Sequence, residues 1–155
     1  MNGQRIAFIG AGNMASNMIA GLINDNFDPR KIYASCPDVN HLKSLAERFN
    51  IHTDPNNTAM AAQAEIVVLC VKPQIMPQVV TELAATIGER APLIISIAAG
   101  VRAAAISHWL GFESAIVRCM PNIAARVRSA ATALFANSNT TGEQLELAET
   151  IMRSI

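Results

Sequence analysis

The run Gly10-Ala11-Gly12-Asn13-Met14-Ala15 has the form Gly-x-Gly-x-x-Gly/Ala. It follows a short apolar segment, Arg5–Ile9, and leads into Ser16–Asn24, where Met18, Ile19, Leu22 and Ile23 recur at helical spacing. A glycine turn between a strand and a helix suits one chemistry, the binding of a pyrophosphate. Gly10 allows the tight turn out of the strand. Gly12 carries no side chain, so an anion can approach the backbone. Ala15 keeps the helix close to the sheet. Free N–H groups at the helix start then face the anion, helped by the helix dipole. A dinucleotide is the expected ligand.

The end of the next strand bears on which dinucleotide. That strand is read as Lys31–Ser35. An acidic residue usually stands at this position to bind the ribose hydroxyls of NAD. Here it is Ser35, and Asp38 lies three residues further on. Loss of the carboxylate removes a charge that would repel a 2′-phosphate, so NADP(H) is preferred and NAD(H) remains possible. Ser35–Asn40 contains no Arg or Lys. The Ser35 hydroxyl, backbone N–H groups and the following helix N-terminus would have to hold the phosphate.

In open parallel sheets, ligands lie beyond the carboxyl ends of the strands. The residues there are Cys70-Val71-Lys72-Pro73, Ala98-Ala99-Gly100 and Met120-Pro121-Asn122. They are small or backbone-shaping, which suits the close approach of a flat ring. Lys72 is the charged residue among them. It can offset phosphate charge, orient a substrate carboxylate, or stand solvated at the sheet edge.

The elements that must position these residues alternate along the chain. Strands are expected at Arg5–Ile9, Lys31–Ser35, Ile51–Thr53, Glu65–Val71, Pro92–Ile97, Ala115–Met120 and Ala130–Ala136. Helices are expected at Ser16–Asn24, Asn40–Phe49, Thr58–Gln63, Gln74–Ile87 and Ala103–Leu110. A last helix starts at a Thr-x-x-Glu capping box, Thr140 to Glu143, and runs through Met152. Continuous apolar strands such as Ile66–Val71 fit a sheet covered on both faces. The fold class is α/β: a Rossmann-type, doubly wound, mainly parallel sheet with helices on both faces. One domain, residues 1–155, accounts for the whole chain.

Composition excludes other classes. Hydrophobic residues are 51% and charged residues 15%, the reverse of a disordered chain. Twelve basic residues balance twelve acidic ones, so nothing supports nucleic-acid binding by phosphate neutralisation. No apolar run approaches the roughly 20 residues that span a bilayer, and none near the start has the length of a secretory signal. Cys36, Cys70 and Cys119 have neither disulfide nor zinc spacing, and His41, His52 and His108 have no ligand spacing. No metal site is expected, and the reduced cysteines point to the cytoplasm.

Four segments together resemble the pyrroline-5-carboxylate reductase family: Ile-Gly-Ala-Gly-Asn-Met at 9–14, Val-Lys-Pro at 71–73, Ser-Ile-Ala-Ala-Gly-Val at 96–101 and Arg-Cys-Met-Pro-Asn at 118–122. Ala-Ser-Cys-Pro-Asp at 34–38 is similar to the family's second strand exit. The resemblance implies NAD(P)H-dependent reduction of Δ1-pyrroline-5-carboxylate to L-proline, the last step of proline synthesis. It places cofactor contacts on Ile9, Gly10, Ala11, Gly12, Asn13, Met14, Ser35, Cys36, Asn57, Cys70, Val71, Lys72, Pro73, Ile97, Ala98 and Ala99. Met120, Pro121 and Asn122 fall on the substrate side. After Asn122 the family often has Thr-Pro, where this chain has Ile123-Ala124. No catalytic side chain is assigned, because the imine is readily protonated and the cofactor carries the hydride. The family also implies a helical domain, absent from these residues, that forms a homo-oligomer and most of the substrate pocket. Two other readings stay open: another NADP-dependent reductase such as a hydroxy-acid dehydrogenase, and a dinucleotide-binding domain without turnover.

Overall fold

The computed structural model describes residues 3–121 and 132–155. Seven strands form one sheet: β1 (Ile6–Ile9), β2 (Ile32–Ser35), β3 (His52–Thr53), β4 (Ile66–Leu69), β5 (Leu93–Ser96), β6 (Ile116–Pro121) and β7 (Thr132–Ala136). Their spatial order is β3-β2-β1-β4-β5-β6-β7. All neighbours are parallel except β6 and β7. Among the described residues, six α-helices accompany them: α1 (Asn13–Asn24), α2 (Val39–Phe49), α3 (Asn57–Ala61), α4 (Met76–Ile87), α5 (Ala103–Leu110) and α6 (Gly142–Met152). This is the doubly wound arrangement that the alternation implies, with the chain order reversing direction between β1 and β4.

Strand periodicity sorts the core into two halves. Ile6 and Phe8 of β1 point to one face, where Met18, Ile19 and Leu22 of α1, Leu42 and Leu45 of α2, and Ile151 of α6 cover them. Ala7 and Ile9 point to the other face, under Val80 and Leu83 of α4 and Ile106 of α5. Every residue of β1, β4 and β5 is buried, which is why these strands read as continuous apolar runs.

Three expectations need correction. β4 ends at Leu69 rather than Val71, because the chain turns at Cys70 toward the sheet's carboxyl edge. The strand expected from residue 130 is described from Thr132 and runs antiparallel to β6, residues 130 and 131 lying outside the described ones. The capping box lies one residue later than expected. Thr141 caps α6 by accepting from the Gln144 N–H, and the Gln144 side chain returns to the Thr141 N–H. Thr140 instead donates its hydroxyl to Asn137 Oδ1 at 2.8 Å.

One contact fixes α6 against α1. A Cβ at Gly21, in mid-α1, would lie 1.9 Å from the Ser154 carbonyl oxygen. Ser154 is buried, and its hydroxyl donates to the Ile151 carbonyl at 2.6 Å. Gly21→Ala would gain about 1 kcal/mol in helix propensity. It would overpack against backbone that cannot swing away, at about 1–3 kcal/mol or more. A lower thermal midpoint is expected. An unchanged or raised midpoint would show that α6 does not seat this closely on α1.

Candidate functional site

The glycine turn contains two glycines doing different work. Gly10 has φ +88°, a region that side chains rarely adopt. A Cβ there would meet Val71 Cγ1 at 2.6 Å and the Val71 backbone nitrogen at 2.9 Å. Gly10 is therefore required by the fold itself, where the β1 and β4 exits touch. Gly12 sits at an ordinary φ of −85°, and a Cβ there would meet nothing within 4 Å. Nothing among the described residues demands a glycine at 12, and the open space in front of it is where an anion can come close.

The helix behind Gly12 is prepared for such an anion. Asp38, Asn56 and Thr141 cap α2, α3 and α6 with their side chains. Gly12, the N-cap of α1, has no side chain to offer. The first-turn N–H groups of α1 thus lack the side-chain partner that these other helices have. Ile9 and Ala11 are fully buried, so they reach a ligand through backbone only. Asn13 is exposed and Met14 half-buried.

Beside the turn, a groove of about 300 Å³ opens along the carboxyl ends of β4, β5 and β6. Met14, Cys70, Val71, Lys72, Pro73, Ile97, Ala98, Ala99, Met120 and Pro121 line it. The expected residues from four separate stretches of sequence therefore converge on one surface. Its walls are mostly apolar, which suits a flat ring. Lys72 supplies an exposed ammonium at the rim, and burial pushes the Cys70 thiol up, so that side chain contributes packing rather than charge. Asn122, the remaining substrate-side residue, lies outside the described residues.

The β2 exit departs from expectation. Ser35 is completely buried and does not present its hydroxyl to a ligand. Its Oγ donates to Asn57 Oδ1 at 2.8 Å, and its carbonyl accepts from the N–H groups of Gly10 and Ala11 at 2.9 and 2.8 Å. Ser35 and Asn57 thus pin the glycine turn and the start of α3 to the sheet. Cys36 is also buried, its thiol donating to the Asp38 carbonyl, with burial pushing its titration up. At the start of α2, Asp38 Oδ1 accepts from the His41 N–H at 3.0 Å.

A second cleft, of about 510 Å³, was not foreseen from the sequence. It runs between α1 and α2, lined by Asn13, Ser16, Asn17, His41, Ser44, Leu45 and Arg48. The signal was present in the spacing: positions 13, 16 and 17 share one face of α1, and 41, 44, 45 and 48 share one face of α2.

Residues 5–100 match a family model described as NADP oxidoreductase, coenzyme F420-dependent. The chain is 40% identical to the pyrroline-5-carboxylate reductase of Pseudomonas aeruginosa over 155 residues, covering all of this chain and 56% of that protein. It superposes on the pyrroline-5-carboxylate reductase of Coxiella burnetii with TM-score 0.95 and 42% identity, over 98% of this chain and 56% of that one. A Plasmodium falciparum pyrroline carboxylate reductase solved with NADP bound shares the fold at TM-score 0.84 and 23% identity, over 99% of this chain and 56% of that one. The chain spans about half the length of the curated relatives it matches. The resemblance carried by the four sequence segments thus extends across the whole chain, which belongs to the NADP oxidoreductase, coenzyme F420-dependent family.

Proposed function

We propose that this chain binds NADPH at the glycine turn and serves the reduction of Δ1-pyrroline-5-carboxylate to L-proline. The observation that carries the cofactor reading is the uncapped start of α1 facing open space at Gly12. The substrate reading rests on the similarity to pyrroline-5-carboxylate reductases along the whole chain. When bound, the reduced nicotinamide supplies a hydride to the imine carbon. This chain's residues orient the ring: the groove from Met14 to Pro121 gives it an apolar wall, and Lys72 stands where a phosphate or a substrate carboxylate would need a counter-charge. The relatives' further length would supply the opposite wall and the contact between subunits of a homo-oligomer. The cytoplasm is the fitting compartment for a reductase with three free cysteines. Among the described residues, no helix is long and apolar enough to cross a membrane.

Competition between NADPH and NADH tests the cofactor reading. A modest preference for NADPH is expected, about tenfold, the worth of one additional charge-assisted hydrogen bond. Binding of neither dinucleotide would overturn the reading. Tighter binding of NADH would make Asp38, at the mouth of α2, the residue that governs the ribose.

A further inference from the structure

We propose that the groove at the β4, β5 and β6 exits holds the neutral, reduced nicotinamide more tightly than its oxidised, cationic form, with Lys72 as the residue that sets much of the difference. The inference rests on the reading that the glycine turn holds a dinucleotide whose ring lies in this groove. It adds a choice between the two oxidation states of one cofactor.

Charge is the first argument. The oxidised ring carries one positive charge and the reduced ring none, while the phosphates are the same in both forms. Phosphate contacts therefore drop out of the comparison, and only the charges that face the ring can separate the two. None of the residues lining the groove is acidic, and Lys72 is the charged one among them. Asp38 and Asp54 follow β2 and β3, which lie on the other side of β1. The exits of β4, β5 and β6 carry no carboxylate from Cys70 to Ile75, from Ile97 to Arg102, or at Met120 and Pro121.

The second argument is what stands around that lining. Arg102, exposed at the start of α5, follows the β5 exit. Arg118 precedes Met120 by two residues on β6, so the two share one face of the strand, about 7 Å apart along it. Its Nε is buried without a hydrogen-bond partner, and its guanidinium stays protonated. Among the described residues, neither Lys72 nor Arg118 is in an ion pair. α1, whose Met14 lines the groove, turns its positive dipole end to the same edge. Every fixed charge at the ring end thus has one sign. Transfer of a hydride to the imine carbon takes two electrons and a proton off the ring and leaves it cationic, facing Lys72. The spent cofactor is then held less tightly than the fresh one, which favours its exchange. The groove is open to water, so the effect of each charge is modest.

Calorimetric titration of the whole 155-residue chain with NADPH and with NADP+, at fixed ionic strength, tests this. NADPH is expected to bind about tenfold more tightly. Lys72→Gln removes one charge and Lys72→Glu reverses it, and each step is expected to narrow the ratio of the two affinities by about threefold. Lys72 is exposed, so an unchanged melting midpoint checks that the variants fold. Added salt should narrow the ratio more in the unaltered chain than in Lys72→Gln. A ratio near one, a preference for NADP+, or a ratio that the Lys72 series leaves unchanged would overturn the inference while leaving the dinucleotide site standing. Binding of neither form by the unaltered chain would remove the dinucleotide reading and this inference together.

Discussion

Gly12→Asp is expected to abolish NADPH binding while leaving the thermal midpoint unchanged or slightly raised. The two effects have separate causes. A side chain at position 12 would project into the open space before α1, where the pyrophosphate must approach, and a carboxylate would also repel it. The fold would not object, because φ is ordinary there and no atom lies within 4 Å of the added Cβ. Position 12 is also the N-cap of α1, where Asp is preferred and is worth about a few tenths of a kcal/mol over Gly. The new carboxylate would accept the same first-turn N–H groups that the ligand needs. It would act as a built-in competitor, stabilising the helix as Asp38 stabilises α2. Calorimetry and a melting curve on the same sample decide the matter. Unchanged affinity would move the pyrophosphate elsewhere. A collapsed midpoint would mean that Gly12, like Gly10, is demanded by packing.

How far the sequence disclosed the site follows from the range of the forces involved. The glycine turn was legible because strand, turn and helix are contiguous, so local pattern carries the geometry. The buried strands were legible because a sheet covered on both faces needs apolar residues at every position. The convergence of Cys70 to Pro73, Ile97 to Ala99, Met120 and Pro121 followed from one topological rule about strand ends. What stayed hidden depended on partners distant in sequence. Ser35 reads as a strand end awaiting a ligand, and only the fold shows Asn57 taking its hydroxyl. Gly21 reads as a weak point in a helix, and only the fold shows Ser154 filling the gap. The one-residue shift of the α6 cap arose because two adjacent threonines and adjacent Glu143 and Gln144 offered two registers. Thr140 is committed to Asn137, which leaves the cap to Thr141.

The second large effect concerns turnover. The 155 residues alone are expected to bind NADPH yet reduce Δ1-pyrroline-5-carboxylate at no more than a trace rate. Holding the imine carbon against the nicotinamide can account for about 7–11 kcal/mol of the barrier, or five to eight orders of magnitude. The described residues build one side of such a pocket. Their groove is open, its walls are mostly apolar, and Lys72 is the charged group that could meet a substrate carboxylate. A single flexible ammonium steers an anion but does not fix its orientation, for which convergent donors are needed. Water also has free access to an open groove, which weakens every electrostatic contact made there. The relatives have almost as much chain again as these residues match, enough to close the pocket from the other side. The test is NADPH oxidation by the purified chain with proline detected directly, run beside the binding titration. Binding without proline is the expected result. Proline formed at a rate typical of enzymes, about 1–1,000 per second, would show that the groove from Met14 to Pro121 orients the substrate by itself, and that Lys72 does not act alone along its rim.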